Sequence, residues 1–263
     1  MRAHDGGDER PPSGPIAPHD VLASSPSRAA GARGRAILEI LLCSGVPTQL
    51  VIGALLTIAG WPPFSPDGTP RFGPTFVLAL ADTIFVVALI ALLLRVGGER
   101  LRPLLVGTRP VGGESVFGLL LVPVLFIGVG VTVLVVRRVL PSLHNVPLNP
   151  FEEFLKTPAE AGLFAVVGIV AGGIREEIQR VFLLHRFEQH LGGAAVGLVI
   201  VSLAFGAGHA LQGWDASVAT GLLGVTWGWL YLRRRSAVAP IVSHAGYNAL
   251  QILQAFAVPG LRV

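Results

Sequence analysis

The chain has 263 residues, of which 52% are hydrophobic and 14% are charged, and its formal net charge is +4. Soluble domains carry about 25% charged residues, so this composition excludes an ordinary soluble domain and indicates a helical membrane protein with several spans. The positive residues are nearly all arginines in short loops between apolar runs, so we expect the lipid bilayer, and no nucleic acid, as a partner.

Residues 1–33 form a segment rich in Pro, Gly, Ser and charge, for which we predict disorder because it can bury too little apolar surface to offset the ordering entropy. Residues 34–263 are predicted to form one all-α domain, a polytopic bundle of about seven transmembrane helices. The predicted spans, in chain order, are 36–60, 74–95, 115–136, 160–188, 193–210, 217–232 and 237–257. We expect Pro47 to kink the first span and a short interfacial helix to lie around Pro150–Lys156.

The distribution of arginine in the short loops predicts the orientation of the chain in the membrane. The loops expected in the cytoplasm carry Arg95, Arg100, Arg102, Arg109 and Arg233–Arg235, whereas the loop at 61–73 carries few charges. This pattern predicts a cytoplasmic N-terminus. Arg137 and Arg138 lie at the opposite end of the third span and depart from the rule.

Charged residues cluster inside the fourth predicted span, where an ionisable side chain costs at least about 2.5–3.5 kcal/mol at the membrane centre. The stretch "GGIREEIQRVFLLHRFEQH" contains adjacent carboxylates at Glu176 and Glu177, followed by Arg180. Successive residues of a helix lie about 100° apart, so one carboxylate can face a cavity while the other pairs with a neighbour, and Arg180 is within reach of either. A solvated helix end at the membrane interface is the competing interpretation.

Two further polar groups lie in the later spans. His209 ends the fifth span among small residues, a position that also suits an ordinary interfacial histidine. His244 and Asn248 are four residues apart and share one face of the last span, where they serve either chemistry or interhelical hydrogen bonding. Glu39 and Asp82 lie near the ends of the first two spans, and we expect water to solvate them there.

Helix packing can bring these groups together, and we expect Glu176, His209, His244 and Asn248 to line one cavity. A glutamate can act as a general base, and a histidine can share its proton or orient water. A second histidine and an asparagine amide can donate hydrogen bonds to an oxyanion. Together these groups suit the attack of water on an amide carbonyl.

The three motifs resemble those of the CPBP family of intramembrane proteases, which includes the CAAX prenyl endopeptidases and bacterial Abi-type proteins linked to bacteriocin self-immunity. That family shows Glu-Glu-x-x-x-Arg, then Phe-x-x-x-His, then His-x-x-x-Asn. The corresponding stretches here are "EEIQR", "FGAGH" (Phe205 to His209) and "HAGYN" (His244 to Asn248). The resemblance covers about 150–257, implies a protease-like core there and favours a bacterial cytoplasmic membrane.

The resemblance also implies roles for individual residues. Glu176 would activate water with help from His209, Glu177 would structure the site, and His244 with Asn248 would stabilise the oxyanion. The family's arginine would fall at position 181, but Arg180 lies one residue earlier. Either Arg180 still reaches a carboxylate, or Arg186 takes its place.

The implied activity is that of an intramembrane endopeptidase, with a membrane-associated peptide or protein, lipidated or not, as substrate. Such proteins are also described as metalloproteases, and a zinc ion held by Glu176, His209 and His244 is an open alternative because two imidazoles and a carboxylate suit zinc. The alternative from another class is a catalytically inactive membrane scaffold, a lipid-binding protein or a transporter-associated protein of the same fold.

Overall fold

The computed structural model describes residues 26–258, with side chains from residue 30 onwards, and this part of the chain is helical apart from loops and one isolated bridge between Phe64 and Pro70. The α-helices of the described part are α1 (Pro26–Leu42), α2 (Val46–Ile58), α3 (Phe72–Val96), α4 (Leu101–Val106), α5 (Val111–Val139), α6 (Pro158–Val167), α7 (Glu176–His190), α8 (Ala194–Ala207), α9 (Trp214–Arg234) and α10 (Val238–Ala257). The predicted all-α fold class is confirmed.

Each of the seven predicted spans coincides with one or two of these helices. Three helical stretches are long and apolar enough to cross a membrane by length and composition, namely Ala30–Ile58, Phe72–Val96 and Val111–Val139. Ala194–Ala207 is apolar but shorter. The chain is therefore an integral membrane protein, and the spanning character of its later helices stays a prediction.

The first predicted span differs from expectation at its start and in its interior. Helix α1 begins at Pro26, so residues 26–33 are helical and the prediction of disorder is wrong for them, whereas residues 1–25 lie outside the described part. The expected kink is a full break, because α1 ends at Leu42 and α2 begins at Val46. Gly45 precedes α2 with a φ of 83°, and Pro47 sits in the first turn, where a missing N–H costs nothing.

Residues 158–190 form one continuous helical rod whose middle section is a π-helix, Gly168–Arg175. The rod starts at Thr157, whose Oγ1 accepts a hydrogen bond from the backbone N–H of Glu160 at 3.2 Å. A π-helical turn is wider than an α-helical turn and is frequent at functional sites. This turn ends directly before Glu176, so it sets the direction in which the charged motif points.

Glycine lets α10 pack directly against the π-helix. A Cβ atom at Gly173 would lie 2.5 Å from the Cβ and 2.6 Å from the Cα of Ala245. Real Cβ atoms do not approach so closely, so glycine is required for this contact. The expected interfacial helix is present as a 3₁₀ turn, Pro150–Phe154, whose Phe154 is buried against Phe72 and Phe164.

Five carboxylates are buried in the described bundle, and each is paired with arginine, beginning with Glu177 and Arg180. Glu39 contacts Arg186 at 2.5 Å and Arg35 at 2.7 Å, and Asp82 contacts Arg175. Glu114 and Asp215 pair in the same way, with Arg234 and Arg137 respectively. The expectation that Glu39 and Asp82 are solvated near span ends is wrong, because buried charges in an apolar bundle need a partner of opposite sign.

The contact between Gly173 and Ala245 predicts a position-specific effect of alanine. We expect Gly173→Ala to destabilise the fold by about 1–3 kcal/mol, because overpacking pushes α10 away from the π-helix. Gly162 lies in α6 with no other atoms within 4 Å of its Cβ position, so Gly162→Ala serves as a control and should leave stability unchanged or raise it by up to about 1 kcal/mol. Thermal unfolding in detergent measures both, and equal melting temperatures for the two variants would contradict the packing.

Candidate active site

The candidate residues come from three elements that meet beside the π-helix. Glu176 and Glu177 open α7, His209 directly follows the C-cap of α8, and His244 and Asn248 lie on α10. The ring of His244 lies between the two glutamates. Its Nδ1 is 2.8 Å from Oε1 of Glu177, and its Nε2 is 3.8 Å from Oε2 of Glu176.

Glu177 is the buried member of the glutamate pair, with no exposed surface. Its Oε1 accepts hydrogen bonds from Nη1 of Arg180 and from Nδ1 of His244. The guanidinium of Arg180 lies 4.4 Å from the centre of the Phe205 ring, in a cation–π arrangement. Arg180 therefore reaches a carboxylate although it lies one residue earlier than in the family pattern. Arg186 contacts Glu39 and Glu99 instead and does not replace it.

Glu176 has a different environment from its neighbour. Its side chain is 21% exposed, and its Oε2 has no hydrogen-bond partner. The nearest cation on its own helix is Arg175, whose Nη1 lies 4.0 Å from Oε1 of Glu176. His209 is also close enough to interact electrostatically with this carboxylate. Oε2 of Glu177 also lacks a partner, but Glu177 accepts two hydrogen bonds through Oε1, whereas Glu176 has the more exposed side chain, 21% against 1%.

Trp227 also holds the ring of His244, because it stacks on the face of that ring. The two rings stack at 3.7 Å with an angle of 15°, and Nε1 of Trp227 donates a hydrogen bond to Oγ of Ser243 at 3.1 Å. One turn further along α10, Nδ2 of Asn248 donates to the carbonyl oxygen of Gly168 at 2.8 Å. This acceptor belongs to the π-helix, so the same contact that orients Asn248 also ties α10 to the widened turn.

His209 is oriented by its own motif. Its Nδ1 lies 2.8 Å from the carbonyl oxygen of Phe205, and the two rings meet edge to face at 4.9 Å. Donation from Nδ1 to that carbonyl leaves Nε2 as the free nitrogen. The Phe205 ring also meets His244 edge to face at 6.0 Å, so the phenylalanine joins both histidines and Arg180.

A cavity of about 220 Å³ adjoins these residues. Three of the four side chains expected to line one cavity do so, namely His209, His244 and Asn248. Among the described residues, Glu176 is not part of the cavity lining. Its Oε2 lies 3.8 Å from Nε2 of His244, which does line the cavity. The remaining wall is largely apolar, and one end carries polar side chains, including Asn149, Glu152, Gln212, Gln251 and Gln254.

Residues 158–250 match the family model described as type II CAAX prenyl endopeptidase Rce1-like. This segment contains all three motifs and the π-helix. It forms an Rce1-like domain. At the family level this match supports a CAAX-type intramembrane protease. No curated protein and no solved structure matches the chain.

The proposed metal ligands of the Rce1-like domain do not form a metal site in the described residues. Glu176, His209 and His244 are not arranged as a group of three donors that could hold an ion, and no other such group occurs in residues 26–258. We therefore derive no step through a metal ion.

Several residues that support the Rce1-like domain were not recognised as site residues in the sequence. Trp227 stacks on His244 from α9, and Asp82 contacts Arg175 from α3, outside the matched segment. Trp227 is an aromatic residue in an apolar span, so nothing in the sequence marked it as part of a polar site. Asp82 is an ionisable residue in a predicted span, which by itself indicates a functional or paired group. The sequence does not show that its partner is Arg175.

The two adjacent glutamates should respond differently to loss of charge. We expect Glu177→Gln to destabilise the protein by about 3–5 kcal/mol, because Arg180 is then a buried charge without its carboxylate. Glu176→Gln is the matched control, and since the Glu176 side chain is 21% exposed and its nearest arginine nitrogen lies 4.0 Å away, it should cost less than about 1 kcal/mol. Thermal unfolding of both variants in detergent measures the difference, and a larger loss for Glu176→Gln would reverse our assignment of the buried partner.

Proposed function

We propose that this chain is an intramembrane endopeptidase that hydrolyses a peptide bond with a water molecule activated by Glu176. The supporting observation is the division of the His244 ring between the two glutamates. Its Nδ1 is bound to Glu177, which also holds Arg180, whereas its Nε2 faces the unpaired oxygen of Glu176. Oε1 of Glu177 is thus committed to structure, whereas the Glu176 carboxylate accepts no hydrogen bond in the described part and has its lone pairs available for a proton.

In the proposed first step, Glu176 removes a proton from water while the water oxygen bonds to the carbonyl carbon of the substrate. His209 lines the cavity with its Nδ1 held by the carbonyl of Phe205, and in this proposal its Nε2 orients the water. The carbonyl oxygen becomes an oxyanion. Glu176 then returns the proton to the amide nitrogen, the C–N bond breaks, and a carboxylic acid and an amine are released, with Glu176 again a carboxylate.

The oxyanion needs hydrogen-bond donors that are already in place. Asn248 uses one amide N–H for the carbonyl of Gly168 and has a second N–H for the cavity. His244 has its Nδ1 turned to Glu177, and in its imidazolium form it donates from Nε2. Both side chains line the same cavity, which is consistent with a shared acceptor.

The cavity wall suits a membrane-associated peptide. Its apolar side chains come from α5, α9 and the 3₁₀ turn, and they include Phe126, Val129, Phe151 and Leu223. Such a wall accepts apolar side chains or a lipid group, and the polar residues at one end accept a peptide backbone. We therefore propose a membrane-associated peptide or protein as substrate, with or without a lipid group.

We further propose a bacterial cytoplasmic membrane with the N-terminus in the cytoplasm. The arginine-rich loops lie together at one end of the bundle, because Ala237 N–H donates to the carbonyl oxygen of Leu105 and Nε of Arg109 donates to that of Arg234. Helices α5 and α10 both run away from this end, towards the polar end of the cavity at Asn149 and Gln254. The positive-inside rule then places the polar end of the cavity on the outer side.

The single native cysteine makes this orientation testable, because Cys43 is buried and gives a low labelling background. Ser142 is exposed beyond α5, and Thr108 is exposed among the arginine-rich loops. With a membrane-impermeant thiol reagent on intact cells, we expect Ser142→Cys to be labelled and Thr108→Cys to be labelled only after permeabilisation. The reverse pattern would invert the proposed orientation.

The catalytic proposal predicts loss of cleavage without loss of fold. Purified protein in liposomes is incubated with a farnesylated, internally quenched CAAX-type peptide and, separately, with a library of unmodified membrane peptides. We expect Glu176→Gln to lower kcat by a factor of about 10²–10⁴, because the general base is lost. Glu188→Gln removes a carboxylate from the same helix, at its surface contact with Arg235, and should leave cleavage unchanged.

The outcome also separates enzyme from scaffold. Cleavage of either probe by the wild type but not by Glu176→Gln supports the endopeptidase. Cleavage that persists in Glu176→Gln would refute the assigned base. If the folded wild-type protein cleaves neither probe, the alternative of a catalytically inactive membrane scaffold of the same fold is favoured.

A further inference from the structure

Arg175, the residue directly before the proposed base, is held by a buried contact with α3. Its guanidinium Nη2 donates to Oδ2 of Asp82, and the side chains are 7% and 3% exposed. Asp82 also accepts hydrogen bonds from Oγ1 of Thr48 and, at 3.2 Å, from Nε2 of Gln49. The carboxylate of Asp82 is therefore fixed by three donors, which come from α2 and from the π-helix.

The break between α1 and α2 provides the space for this guanidinium. A Cβ atom at Gly45 would lie 2.2 Å from Nη2 of Arg175, and Gly45 has a φ of 83° that favours glycine. Next to it, Nε2 of Gln179 donates to the carbonyl oxygen of Cys43 at 2.7 Å. The break between α1 and α2 and the carboxylate of Asp82 together form a pocket that holds the side chain of Arg175.

In the described residues, the carboxylates within ion-pair distance of Arg175 are those of Asp82 and Glu176. Asp82 makes direct contact, whereas Glu176 Oε1 lies 4.0 Å from Nη1. A buried guanidinium needs a carboxylate partner, so loss of Asp82 would leave Glu176 as the remaining partner. A glutamate in a direct ion pair is a weaker base, because its charged form is stabilised.

We propose that Asp82 is a positioning residue that holds Arg175 away from Glu176 and so keeps the glutamate free to act as a base. This inference rests on the proposed function and extends it to α3, which lies outside the residues that match the family. It assigns a role to a helix whose sequence carries no motif of the Rce1-like domain. In this proposal the break at Gly45 serves the site as well, because it makes room for the guanidinium of Arg175.

A double-mutant cycle tests the inference, because its sign separates positioning from simple support of the fold. The farnesylated, internally quenched CAAX-type peptide is the probe, and rates are normalised to folded protein. For Asp82→Asn we expect kcat to fall about 10- to 100-fold with KM little changed, which is part of what general-base catalysis contributes. In Asp82→Asn/Arg175→Gln the competing cation is gone, and kcat should recover at least about tenfold over Asp82→Asn.

Two further variants control for stability. Glu114→Gln breaks another buried ion pair, in which Glu114 binds Arg234 through both oxygens, and should lower the melting temperature without changing kcat or KM of the folded protein. Asp82→Glu keeps the carboxylate and should retain more activity than Asp82→Asn. If Asp82→Asn does not fold, Arg175→Gln replaces it: with the competing cation gone, kcat of the folded protein should stay within about threefold of the wild type, and a fall of about tenfold or more would overturn the inference.

The outcomes separate this inference from the proposed function. A wild type that cleaves, a Glu176→Gln that does not and an Asp82→Asn with unchanged kcat would overturn the role of Asp82 alone. A double mutant no faster than Asp82→Asn would also overturn it, because the loss would then reflect structure. Cleavage that survives Glu176→Gln would instead overturn the proposed function, and the role of Asp82 with it.

Discussion

The buried contact of Glu177 with Arg180 and His244 is the interaction on which the rest of the site depends. A carboxylate without exposed surface inside an apolar bundle is tolerated only when cations and hydrogen-bond donors surround it. Here those donors come from α7 itself and from α10, so the contact joins the two helices. Because Nδ1 of His244 is used in this way, the orientation of the imidazole ring follows from the pairing of Glu177.

Close packing of α10 against the π-helix makes that contact possible. Gly173 allows the backbone of Ala245 to approach, and Asn248 hydrogen-bonds to a carbonyl of the widened turn. Packing of α10 against the π-helix therefore fixes the positions of His244 and Asn248 relative to Glu176 and Glu177. The π-helix also determines which glutamate turns inward, since Glu176 and Glu177 follow it directly.

Buried ion pairs recur along the described bundle and connect the Rce1-like domain to the N-terminal helices. Glu39 pairs with Arg186 and Asp82 with Arg175, so two helices outside the matched segment bind α7 or the turn before it. These pairs are expensive to bury and add little net stability compared with apolar contacts. Their geometric specificity is the more useful property, since each pair has one arrangement that satisfies both charges.

The sequence by itself determined the helical membrane class and the positions of the later helices, and it supplied the candidates for the site, because apolar runs and ionisable residues inside them are local signals. It did not determine which glutamate is buried, whether Arg180 or Arg186 is its partner, or that Glu39 and Asp82 lie inside the bundle. It also did not indicate that the break at Gly45 makes room for the side chain of Arg175, or that Trp227 stacks on His244. Those features depend on which helix faces come together, and only the tertiary structure decides that, because helix–helix contacts join residues far apart in the chain.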